Sequence, residues 1–139
     1  MRDIQKFEVS LKAAIVDRGR LLLVQEADTG YWELPGGRID VGEETLGHEA
    51  ILAREIAEEL GGDVRIAPRH EATSLIRQRP TDGQHIFLVI RLCRFVDGSI
   101  ALSPEHRAYR WCAPDDWRTL NFPPLSDYAR ALNSAWSMV

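Results

Sequence analysis

The stretch that most constrains this chain runs from Leu34 to Gly62 and reads LPGGRIDVGEETLGHEAILAREIAEELGG. A Pro-Gly-Gly turn opens it, an acidic helix follows, and Gly61-Gly62 supplies a C-terminal stop. On a wheel of about 100° per residue, Arg54, Glu55, Glu58 and Glu59 fall within an arc of about 140°, with His48 just inside it. Ala50, Ala53, Ile56, Ala57 and Leu60, with Leu46 one turn earlier, project to the opposite side. One side therefore reads as a core face, and the other carries three carboxylates and an arginine. Ile51 breaks the pattern, because it projects onto the acidic side. Like charges at i,i+3 and i,i+4 cost helix stability. Either the face is solvated, with Arg54 screening the acids, or hard divalent cations, Mg²⁺ or Mn²⁺, sit among these oxygens and offset the repulsion. The helix alone does not choose.

The text around the helix does. Gly37, then Glu43, then Arg54-Glu55-Ile56-Ala57-Glu58-Glu59-Leu60-Gly61 resembles the signature of the Nudix hydrolase family, G-x5-E-x7-R-E-U-x-E-E-x-G-U with U an aliphatic residue. The second half alone fixes five residue types, about one chance match per ten thousand chains of this length at average usage. Trp32-Glu33-Leu34-Pro35-Gly36-Gly37 also resembles the usual lead-in. Two departures stand out. Ten residues separate Glu43 from Arg54, a three-residue insertion in a box that spans about 37–62, and Gly62 stands where the family prefers an aliphatic residue. An insertion that lengthened the helix would move Glu43 about 4.5 Å along its axis. A bulge around Glu44 to Gly47 would leave Glu43 near Arg54. Gly47 is a poor helix-interior residue and Thr45 a plausible cap, which favours the bulge.

The resemblance implies an α/β (α+β) fold, a Nudix-like α/β/α sandwich with a mixed, partly antiparallel central sheet. It implies Glu55, Glu58 and Glu59 as metal ligands, with the Gly36 carbonyl and Glu105 completing the shell. Glu58 or Glu105 is then the general base, and the residues do not choose between them. Arg54 orients the carboxylates, with Glu43 its candidate partner, and Gly37 supports the turn. The implied substrate is a nucleoside diphosphate linked to another group: a nucleoside triphosphate, a nucleotide sugar or a dinucleotide. The implied cofactor is Mg²⁺ or Mn²⁺.

The rest of the chain is consistent with one domain over 1–139. A net charge of −4 argues against a general nucleic-acid surface, so a polyphosphate would need cations or a local arginine cluster. Cys93 and Cys112 lack metal-type spacing and read as reduced packing residues of a cytoplasmic protein. MRDIQKFEVS has no apolar leader, and no apolar run is long enough to span a membrane. A homodimer stays open.

Periodicity predicts strands over 7–16, 20–25, 31–34, 84–95 and 107–112, with strand-like pieces within 64–79 and at 100–102. Short and closing helices are predicted over 115–120 and 125–136, the latter burying Leu125, Tyr128, Ala129, Leu132 and Trp136. Arg77 and Arg79 share a strand face with Leu75 and either grip phosphates or lie on a solvated edge. Trp32 either stacks a base or packs. Glu105 and His106 are placed in the loop Ser103–His106, where a lone histidine usually stays solvated. Two alternatives to the enzyme remain: a catalytically silent, nucleotide-binding sensor of the same family, and a plain domain whose acidic helix faces water.

Overall fold

Along β1 (Glu8–Asp17), Leu11, Ala13 and Ile15 alternate with Ser10, Lys12 and Ala14, and both sets are buried. A strand buried on both faces belongs at the centre of a sheet. The computed structural model, which describes residues 1–139 apart from the side chain of Glu71, places it there. Arg18 and Gly19 both take positive φ, 50° and 74°. That suits a two-residue hairpin turn into β2 (Arg20–Glu26), antiparallel to β1.

The chain then adds β3 (Trp32–Glu33) and β4 (Gly36–Arg38), and after the central helix β5 (Arg65–Gln78), β6 (His85–Asp97) and β7 (His106–Cys112). The order is β3-β2-β1-β6-β5, with β4 also paired to β1 and β7 to β2. β1 and β6 run parallel from Glu8↔Ile86 to Val16↔Arg94, and the other pairs are antiparallel. The sheet is mixed, as the resemblance implied. In the β5–β6 hairpin the register shifts between Pro68 and Ala72. Proline has no N–H to give the ladder, which suits it to such a bulge.

Two predicted elements change character. Gly36 and Gly37 form strand rather than turn, opposite Lys12 and Leu11. Residues 100–102 join no strand. Instead Ala101 N–H donates to the Leu60 carbonyl (2.9 Å) and Ser103 N–H to that of Glu59 (3.0 Å). The segment thus satisfies carbonyls that the end of a helix leaves without partners.

Helix α1 (His48–Leu60) covers one sheet face, packing Ile51, Leu52, Ile56 and Leu60 with Leu11, Ala13, Ile15, Leu22 and Val24. Helices α2 (Pro114–Trp117) and α3 (Tyr128–Trp136) cover the other, where Trp117, Tyr128 and Leu132 join Leu21, Leu23, Leu75 and Leu88. The result is the α/β/α sandwich. Helix α3 starts later than predicted. Leu125 takes φ 54° and Ser126 bridges to Arg77 instead, leaving Leu125 and Ala129 exposed and Ala131 and Ala135 in the core. No helix among the described residues is long and apolar enough to cross a membrane.

Candidate active site

The wheel reading of α1 is corrected by burial. Leu46, Ala50, Ala53 and Ala57 are exposed, and the inward stripe is Ile51, Leu52, Glu55, Ile56, Glu59 and Leu60. Ile51 is no exception, because it lies one and two turns before Glu55 and Glu59 on the same inward face. The small alanines could not provide the core, whereas the leucines and isoleucines turn the helix and carry two acids inward with them. Glu58 alone of the three stays largely in solvent, its side chain 59% exposed.

Each inward acid has a built seat. Glu59, 6% exposed, accepts a hydrogen bond from the Gly36 N–H at 2.8 Å. Glu55 lies against Gly37 so closely that a Cβ there would stand 2.2 Å from its Oε2. At Gly36, φ is 142° and a Cβ would meet the Leu11 carbonyl oxygen at 2.0 Å. The paired glycines are thus needed twice, for the approach of β4 to β1 and of Glu55 to β4. Burial pushes the Glu59 carboxyl up to about 7, against the pull of Lys12 and the Gly36 N–H. Burial also raises the Glu55 carboxyl, with Arg54 opposing.

Arg54 ties the insertion to the helix. The residues before α1 form a single 3₁₀ turn, Glu43–Thr45, and the helix starts only at His48, after Gly47, with no side-chain cap from Thr45. Glu43 therefore stays beside Arg54, whose Nε donates to Glu43 Oε2 (3.0 Å) and Nη2 to Oε1 (2.7 Å), a bidentate pair. The same guanidinium reaches Glu58 Oε1 at 3.2 Å and Glu55 Oε1 at 3.1 Å.

From the other side, the segment docked on the end of α1 delivers Glu105 and His106. One carboxylate oxygen each of Glu59 and Glu105 and a ring nitrogen of His106 lie within 4.8 Å of one another. Glu105 is exposed, but His106, read as solvated from the sequence, is buried as the first residue of β7. Its Nε2 lies 3.3 Å from Glu33 Oε1. Glu33 is itself buried, 3.9 Å from the Lys12 ammonium. Burial would raise the Glu33 carboxyl, but Lys12 and His106 together hold it below its ordinary value. The imidazole is disfavoured as a cation by burial yet raised on balance by Glu33 and Glu59.

Lys12, Glu33 and a buried His106 are the residues that sequence reasoning missed. Lys12 sits mid-strand in an apolar run and Glu33 lies between Trp32 and Leu34, a signal of buried charge that could have found them. The Lys12 ammonium also approaches the Gly36 carbonyl at 3.4 Å, leaving that oxygen one lone pair for another partner.

The remaining candidates lie apart from the acids. Arg79 is paired with Asp82 across the hairpin end (3.0 and 2.7 Å). The Arg77 Nε is buried with no hydrogen-bond partner. Burial lowers the Arg38 guanidinium, its partner Glu8 (3.2 Å) opposes that, and Arg79 and Arg77 lower it further, so the three arginines lie near one another among their acids. Trp32 packs its side chain against the α3 core. Cys93 and Cys112 are buried, unpaired thiols, each raised by burial.

The carboxylates fit a hard divalent cation. Carboxylate oxygens of Glu59, from the helix, and Glu105, from the loop, converge beside a glycine strand that leaves them room, and the buried Glu59 is costly to ionise without a cation.

Comparison with known proteins identifies the family. The NUDIX domain model matches residues 8–132. The chain is 36% identical over 109 residues to a MutT-like protein of Streptomyces ambofaciens, covering 78% of this chain and 65% of that protein, so it spans just under two thirds of that relative's length. Against the MutT NUDIX hydrolase from Burkholderia pseudomallei it is 31% identical, with TM-score 0.64 over 97% of this chain and 99% of that one. An ADP-ribose pyrophosphatase from Streptococcus suis is 27% identical, with TM-score 0.68 over 96% and 92% of the two chains. With the family model running from the first strand into the last helix, this chain belongs to the NUDIX domain family.

Proposed function

We propose that this protein is a divalent-metal-dependent hydrolase of a phosphoanhydride (pyrophosphate) bond in a nucleoside diphosphate linked to another group. The observation that carries the reading is the seating of Glu55 and Glu59 against Gly37 and Gly36, with Glu105 brought to Glu59 from a separate element. Two solved relatives named a NUDIX hydrolase and an ADP-ribose pyrophosphatase support that class of reaction.

Glu55, Glu58, Glu59 and Glu105 would hold the cation, Mg²⁺ or Mn²⁺, with the Gly36 carbonyl offering its remaining lone pair. When bound, such an ion neutralises the polyphosphate and makes hydroxide available near neutral pH. Arg54 fixes the rotamers of Glu55 and Glu58, and Glu43 fixes Arg54. Glu58 or Glu105, the two exposed acids, takes the proton of the attacking water. Arg77, with Arg38 and Arg79, would meet the phosphates that lie away from the metal, whereas Trp32 is committed to the α3 core and is not assigned to the nucleotide. The substrate is a small nucleotide rather than a nucleic acid, and the location cytoplasmic.

A sensor that binds nucleotide without turnover is the second reading, favoured by the Lys12 ammonium, an internal cation already at the Gly36 carbonyl. A turnover screen of nucleoside triphosphates, nucleotide sugars and dinucleotides with Mg²⁺ or Mn²⁺, identifying both products, separates the two. Glu58→Gln should lower turnover on the order of 10²–10⁴-fold with an unchanged circular dichroism spectrum. A variant as fast as the wild type would remove Glu58 from the reaction, and binding without hydrolysis of any compound would establish the sensor.

A further inference from the structure

His106 carries a feature that the carboxylate cluster leaves unexplained. Its side chain is 2% exposed, and its Nδ1 is buried with no hydrogen-bond partner, while Nε2 faces Glu33 Oε1 at 3.3 Å. A buried ring nitrogen left unmatched is costly, so the arrangement calls for a partner. Glu33 is surrounded by Lys12 and His106 and serves as an acceptor, so in the neutral imidazole the hydrogen sits on Nε2 and the Nδ1 lone pair is free for a cation that displaces the second proton. An imidazole with one nitrogen donating to a carboxylate and the other free is the arrangement metal-binding histidines adopt, because the outer partner fixes tautomer and ring orientation. The ring stands with a nitrogen within 4.8 Å of carboxylate oxygens of both Glu59 and Glu105. Its backbone is held there too, through His106 N–H to the Ser103 carbonyl (3.2 Å) and Ser103 N–H to that of Glu59 (3.0 Å).

We propose that His106, oriented by Glu33, supplies a nitrogen ligand to a divalent cation shared with Glu59 and Glu105, so that this site prefers transition metals such as Mn²⁺ over Mg²⁺. This rests on the metal-dependent reading above and adds a donor to it. Imidazole suits first-row transition metals, whereas Mg²⁺ holds to oxygen ligands.

The test uses Mn²⁺ alone, without nucleotide. Pulsed electron paramagnetic resonance of the Mn²⁺-loaded protein should show ¹⁴N modulation from a coordinated imidazole. In His106→Gln, whose amide can still donate to Glu33, the modulation should vanish. The Mn²⁺ dissociation constant should rise on the order of tenfold by titration calorimetry. That for Mg²⁺ should change by less than about threefold. The chain has four histidines, so a form with His48, His70 and His85 changed to Gln leaves His106 as the sole imidazole and should keep the signal. Bound Mn²⁺ without ¹⁴N modulation overturns the proposal and leaves the carboxylate site standing, as does a signal that survives His106→Gln or is lost in the single-histidine form. Failure of Mn²⁺ to bind at all removes both.

Discussion

A carboxylate buried to the extent of Glu59 is costly to ionise, and its carboxyl is pushed up to about 7 from an ordinary value near 4.5. The native state therefore keeps a proton that the unfolded chain releases between those values, and stability must fall as pH rises through that window. Glu55 adds the same sign, and so does His106, whose raised value means that its contribution is lost as pH climbs past its unfolded value. For protein stripped with EDTA, urea titrations at pH 5 and pH 8 should show lower stability at pH 8, by about 3 kcal/mol at most from Glu59. Glu59→Gln should remove most of that difference. Equal stability at both pH values would mean that Glu59 is not desolvated as described. The glycines make a second residue-scale prediction. Gly37→Ala puts a methyl where Glu55 Oε2 stands, so either the carboxylate or the strand must move. The expected loss is about 1–3 kcal/mol, together with weakened Mn²⁺ binding in a titration. Gly36→Ala should be worse, since its clash is with the Leu11 backbone and its φ is one that side chains rarely adopt.

At the scale of elements, α3 reaches the site through one bond. The Leu34 N–H donates to the buried Tyr128 hydroxyl at 2.8 Å, immediately before the Pro-Gly-Gly run. Tyr128→Phe leaves that N–H without a partner and should cost about 1–3 kcal/mol in chemical denaturation. Hydrogen exchange at Leu34 should accelerate, and an unchanged rate would show that another group holds the amide. Arg54 links the 3₁₀ turn to α1 in the same way, and Arg54→Lys keeps the charge but cannot reproduce the bidentate hold on Glu43. Its effect should appear as weaker Mn²⁺ binding with little change in melting temperature, because the pair lies at the surface of the fold.

For the whole molecule, β1 lies in both cores, giving Leu11, Ala13 and Ile15 to the α1 side and Ala14 to the α3 side. The two cores should therefore melt as one. Ile56→Ala and Leu132→Ala should each cost about 2–5 kcal/mol, and calorimetry should show a single transition for both. Two separate transitions would show that the cores unfold independently. Alternation and turn residues were enough to place β1, β2, the β5–β6 hairpin and the long helix, because those signals are local. The resemblance from Gly37 to Gly61 likewise named Glu43, Arg54, Glu55, Glu58 and Glu59 before any contact was known. Which way α1 faces was another matter. A helical wheel sorts residues by angle, but only the packing of Ile51, Leu52, Ile56 and Leu60 on β1 and β2 decided that Glu55 and Glu59 turn inward. The same holds for Lys12, Glu33 and His106, far apart in the chain and brought together by β1, β3 and β7. Local pattern is set by the chain's own period, whereas the company a buried charge keeps is set by strand order and register, which no single stretch of sequence contains.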